Sequence, residues 1–211
     1  MKTKTDKIFD HIDEMYEVIS NHNYDYEKSR SELFNLLKIV EDEELDKDFS
    51  YYQLIGTLEY FICKSTVKNA PYKCLLLKNE KLEKYFNASL ALDKNNPPLQ
   101  YLYGLYLYEI GDFVNAKYEF SKINIQYFEE LEIFERIFKI EEMIICCKIF
   151  LKEACEYNII NFIKEIEKTE DRFYPTDLIE TLKYNEDYFT GKIRSELEII
   201  KKEPKTLDSS L

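Results

Sequence analysis

The sequence predicts an all-α protein, built as antiparallel helical hairpins stacked into a short α-solenoid with extra helices at both ends. Three observations lead there. Only 4 glycines and 5 prolines punctuate 211 residues, whereas sheet proteins need frequent turns and draw on Gly, Pro and Asn to make them. Apolar residues return at three- and four-residue steps along most of the chain, the period of a helix with a buried face. Capping residues and prolines stand where those periodic stretches begin. Hydrophobic residues form 45% of the chain, enough to bury a core at this length.

Ile8, Ile12, Met15, Tyr16 and Ile19 mark a first amphipathic helix, ended by the polar run 21–25. Ser29 and Glu32 have the spacing of a capping box, and Leu33, Leu36, Leu37 and Val40 follow on one face. The same helix could start a turn earlier, near Tyr26. Residues 41–48 are mostly acidic, with Leu45 the one large apolar side chain. They read as a solvated connection rather than a metal site, because no turn glycine or spaced ligand pattern accompanies them. A third helix spans 49–65. A fourth starts at Asn69-Ala70-Pro71, where Asn69 can cap and Pro71 falls in the first turn. It carries Leu75, Leu76, Leu82, Tyr85, Phe86 and Leu90 and ends near Asp93.

Asn96-Pro97-Pro98 repeats the cap-and-proline signal and opens a fifth helix over 98–110. Gly111-Asp112 breaks the chain, and a sixth helix covers 113–123. Residues 127–156 contain no Gly or Pro. Ile133, Ile137, Ile140, Ile144, Cys147, Leu151 and Ala154 make one stripe there, and Phe134, Phe138 and Ile145 lie on a second face. The stretch predicts one long helix sandwiched at the centre of the C-terminal half. Shorter helices follow at 158–169, 176–184 and 187–202, with Pro175 before the second and Pro204 past the third. Residues 1–203 read as one domain and 204–211 as a disordered polar tail.

The formal net charge is −12, from 41 acidic and 29 basic residues. Phosphate backbones and anionic membranes repel such a surface, so neither nucleic acid nor membrane is expected as a partner. A positively charged protein or peptide is favoured instead, through faster and more selective encounter. The cysteines are odd in number (Cys63, Cys74, Cys146, Cys147 and Cys155) and form no Cys-x-x-Cys pair. They read as reduced, mostly buried small hydrophobes of a reducing compartment. With no apolar signal core at the N-terminus and no window approaching a membrane span, a cytoplasmic location is expected.

The residues that usually carry chemistry are sparse. His11 and His22 have no co-ligands at metal spacing. The glycines are scattered, so no phosphate loop forms, and no Ser or Cys stands in a nucleophile elbow. Glu129, Glu130, Glu132, Glu135, Glu141 and Glu142 include pairs at helical spacing, but a two-metal bundle site needs Glu-x-x-His motifs that are missing. They read as a solvated acidic face. The expectation is a chain without catalytic residues, metal or cofactor.

Within residues 92–130 a known pattern emerges. Gly104 is a small residue where two helices would cross, Leu107 is apolar three positions on, Gly111-Asp112-Phe113 makes the turn, and Ala116 and Phe120 follow as a small residue and an aromatic four apart. Leu92-Asp93-Lys94-Asn95-Asn96 has the form of a preceding unit's end. The segment resembles a tetratricopeptide repeat (TPR), a pair of antiparallel helices in about 34 residues. Gln100, Ile123 and Lys94 depart from the family's usual aromatic, alanine and proline. Gly56 could be the crossing glycine of an earlier, lengthened unit.

The resemblance implies a groove lined by first helices of each unit. Its positions here would be Tyr101, Leu105, Tyr108 and Glu109, with Glu129 and Glu130 at the start of the next unit. Tyrosine offers contact area at small entropic cost and carboxylates select charge, so the groove would suit a basic, partly apolar partner. The competing arrangement packs these tyrosines against the N-terminal helices. The function expected is a non-catalytic protein-protein interaction module. The alternative is a bacterial immunity protein neutralising a basic toxin domain, and an enzyme without a recognisable motif is the further alternative.

Overall fold

The computed structural model describes residues 4–23, 25–66, 78–169 and 173–201, and every regular element among them is helical. The sequence reading placed residues 1–203 in one domain; the structure divides the chain into two compact units, one through Asp112 and one from Phe113. No described helix is long and apolar enough to cross a membrane.

The first unit contains α1 (Lys4–Asn21), α2 (Tyr26–Asp42), α3 (Phe49–Lys64), α4 (Glu80–Leu92) and α5 (Pro97–Glu109). Helix α3 packs against all the others, most extensively against α4, and every residue from Leu54 to Ile62 is buried. Gly56 permits the closest approach: a Cβ there would stand 3.2 Å from Cδ1 of Phe86 on α4. Phe86 is itself fully buried and packs on the rings of Tyr103 and Tyr106 of α5, at 5.4 and 6.4 Å between centroids.

Short polar side chains start these helices by accepting from exposed backbone amides. Asp48 accepts from the Tyr51 amide, Asn79 from Lys81 and Leu82, and Asn96 from Leu99, with Pro97 leading α5 as its spacing predicts. Helix α2 corrects one expectation. Its cap is Asp25, which accepts from the Lys28 amide, and the chain is helical from Tyr26. Ser29 is buried inside the first turn and donates its hydroxyl to the Asp25 carbonyl. The alternative start near Tyr26 is the one observed. The expected start of the fourth helix at Asn69-Ala70-Pro71 lies outside the described residues, as do Leu75, Leu76 and the 204–211 tail.

The second unit contains α6 (Phe113–Lys122), α7 (Ile125–Glu130), α8 (Phe134–Phe150), α9 (Glu156–Glu167), α10 (Thr176–Tyr184), a 3-10 turn (Glu186–Tyr188) and α11 (Gly191–Lys201). Helix α8 is central, packed by α6, α7, α9 and α10, while α11 packs on α9. Phe138, Phe162 and Phe173 gather on one side of α8, and Phe113 stacks on Phe150 at 4.3 Å. Cys146 and Cys147 are fully buried in this core, as the sequence predicts.

The single helix expected over 127–156 is broken. Glu132 adopts the left-handed conformation (φ 57°), its amide donates to the Glu129 carbonyl, and the Ile133 amide donates to Phe128. That is a Schellman ending of α7. The ending was invisible because the left-handed position is usually glycine, and here it is glutamate. Ile133 and Phe134, expected on apolar faces of the helix, are exposed. Lys152 (φ 55°) ends α8 in the same way, with the Glu153 amide donating to Lys148, and Gly111 (φ 85°) ends α5. A Cβ in this conformation costs on the order of 1 kcal/mol. Lys152→Gly is therefore expected to stabilise the protein by roughly 0.5–1 kcal/mol in urea unfolding, whereas an equal or lower stability would mean the lysine side chain contributes more than the strain.

Candidate functional site

Helix α5 carries four of the expected partner-binding residues, and the structure draws most of them inward. Tyr101 is 5% exposed and Tyr108 9%; Leu105 and Glu109 are half-buried. On the other side of α5, Gly104, Tyr106 and Leu107 are buried as well. These positions do not form a continuous exposed groove. The signal for this was in the composition of α5, which is apolar or aromatic nearly all round, the mark of a helix enclosed on more than one face.

Glu109 meets Lys64 of α3, with Nζ 2.6 Å from Oε1. The same ammonium stands 5.7 Å over the Tyr26 ring and 5.6 Å over Tyr60, and Tyr26 stacks on Phe61. Burial, then the Glu109 carboxylate, push the Tyr60 phenol well above its ordinary pKa. Lys64 lies in the last turn of α3, where a cation also favours the helix dipole. The aromatic and acidic character that suggested a binding groove serves here to join α3 and α5. Tyr106 belongs to the same economy of buried phenols: its oxygen accepts the Asn79 amide at 2.8 Å, and burial lifts its pKa to about 12.

The other two expected residues, Glu129 and Glu130 on α7, are exposed, and Glu130 accepts from the Gln126 side chain at 3.0 Å. All seven residues from Glu129 to Glu135 are exposed. Among them Leu131 is 52% exposed and Phe134 56%, with Ile133 only slightly more covered. Tyr127 is exposed on the preceding turn. Among the described residues, none of Glu129, Glu130, Glu132 and Glu135 joins a salt bridge. The sequence points to Glu129 and Glu130 but not to Leu131, Ile133 and Phe134, because an unbroken helix turns the last two inward.

The acidic face expected over 129–142 is corrected at its end. Glu142 is fully buried, accepting from Lys139 Nζ at 2.7 Å and from the Leu178 amide at 2.8 Å. Lys139 also contacts the Asp177 carboxylate. Helix α10 follows Pro175 and has no side-chain cap of its own, so Glu142 supplies the missing acceptor from the neighbouring helix. Burial raises the Glu142 pKa, against the pull of Lys139 and the Leu178 amide. Burial also opposes the charge on Lys139, but Glu142 and Asp177 outweigh it and hold the lysine pKa above its ordinary value.

His11 contacts Glu14 and Glu43, each at 3.4 Å, and His22 contacts Glu32 at 2.7 Å. No group of three or more His, Cys, Asp or Glu among the described residues is arranged to hold a metal ion. No family model, curated protein or solved structure matches this chain.

Proposed function

We propose that this chain is a non-catalytic, TPR-like interaction module that binds a basic protein or peptide. The observation that carries the reading is the stretch Glu129–Glu135, where four glutamates and three large apolar side chains are exposed together on a chain of net charge −12. Carboxylates steer and select a cationic partner, and apolar contact supplies affinity that charge alone does not in salt. Of the residues first expected to bind, Glu129 and Glu130 keep that role, while Tyr101 and Tyr108 act through the core.

The test is capture of partners by the tagged full chain from its host's lysate at low and moderate salt. One or more basic proteins should be retained, and Glu129→Lys with Glu130→Lys should reduce their yield about tenfold, the loss that about 1.4 kcal/mol of binding energy represents. Retention of the same proteins by the charge-reversed chain would count against the reading. The alternative of an immunity protein directed at a folded basic toxin domain draws on the same net charge of −12. It would show as a single stoichiometric basic partner that survives moderate salt.

A further inference from the structure

We infer that the corner joining α7 to α8 is the docking surface itself, and that its occupant is a cationic amphipathic segment whose apolar side seats on Leu131, Ile133 and Phe134. The inference rests on the binding reading above and adds its energetic centre and the form of the partner. Large apolar side chains exposed side by side in a short stretch are uncommon on a soluble surface and usually mark contact with another molecule. Here the apolar row also continues into the protein. Phe134 lies one helical turn before Phe138, which packs 6.5 Å from Phe162 and 5.8 Å from Phe173. Phe134 is thus the exposed neighbour of a ring cluster in which Phe138 and Phe173 are half-buried and Phe162 is buried.

Charge selects the occupant. A second copy of the chain would set Glu129, Glu130, Glu132 and Glu135 against the same four carboxylates in a two-fold interface, which repels. An uncharged apolar partner would leave those carboxylates desolvated without counter-charges. A segment with lysine or arginine around an apolar stripe satisfies both requirements. The placement of acid at a helix start also favours α8 through its dipole, which explains Glu132 and Glu135 locally. It does not explain the exposure of Leu131, Ile133 and Phe134.

The roles then divide. The apolar residues set the dissociation rate, and the carboxylates set the association rate and its dependence on salt. The experiment is an amide NMR titration of the full chain with two synthetic probes: an amphipathic helix of leucine and lysine only, and oligolysine of equal charge. The amphipathic probe should shift amides 127–136 and bind about tenfold tighter than oligolysine, the gain expected from burying a few apolar groups. Leu131→Ser with Phe134→Ser should abolish that advantage while circular dichroism shows the helical fold retained. Replacing Glu129 and Glu130, which lie outside α8, by glutamine should weaken binding and flatten its salt dependence while the thermal midpoint holds. Shifts spread over other acidic helices, equal affinity for both probes, or full affinity in the serine variant would each overturn the inference. Equal affinity for both probes leaves capture of a basic protein from lysate, and its loss on charge reversal, untouched, so the apolar centre and the binding reading fail separately.

Discussion

Glu142→Ala should destabilise the second unit by about 3 kcal/mol, the range found when one member of a buried ion pair is removed. Three losses coincide. The Leu178 amide at the start of α10 is left without its acceptor, Lys139 keeps only Asp177 as a counter-charge, and a void opens beside α8. Glu142→Gln should cost far less, about 1 kcal/mol, because the amide oxygen can still accept from Leu178 and a neutral group suits the buried site. Urea unfolding followed by circular dichroism separates the two variants, and equal costs would refute the capping role. The pH dependence has a definite sign. Burial raises the folded pKa of Glu142 above its unfolded value. Its contribution is therefore full below the ordinary carboxyl range and declines as pH rises through the raised value. The stability gap between wild type and Glu142→Gln should narrow from acid towards neutral pH.

The second large effect is expected at Phe86. Phe86→Ala should cost about 3–5 kcal/mol, the usual penalty for emptying a fully buried aromatic site. Its ring fills the space that Gly56 leaves between α3 and α4 and supports Tyr103 and Tyr106. Tyr106 in turn accepts the amide of Asn79, the residue that caps α4. Gly56→Leu, alone, should also destabilise, by roughly 1–3 kcal/mol, because its side chain would enter a space already filled. In the Phe86→Ala background the same leucine should cost less or restore stability, a coupling that a double-mutant cycle measures. Additive losses would show that the two residues do not share one space.

Helix starts were the most legible part of this fold in the sequence. Asn96-Pro97 and Pro175 each announce a helix through backbone chemistry that acts locally, and α5 and α10 begin there. Endings that depend on a left-handed residue were legible where glycine or asparagine takes that role, as at Gly111 and Asn23. Glu132 and Lys152 adopt the same conformation without a compositional sign, so the α7–α8 break was hidden and with it the exposure of Leu131, Ile133 and Phe134. The sites were harder still. Tyr101 and Tyr108 have helical spacing suited to a groove, but spacing on one helix does not say how many neighbours enclose it. Glu142 differs from Glu141 by one position, and one position on a helix is about 100° of rotation, enough to separate solvent from core.

The corner at Glu132 has an implication for how such a protein diverges. Its path is set by backbone hydrogen bonds to Phe128 and Glu129, while its side chains face outward. On the docking reading proposed above, a lineage carrying this fold could change partners through substitutions at this corner, because Phe86, Glu142 and the enclosed tyrosines that hold the helices lie elsewhere. Related chains aligned on their cores should differ most at this corner.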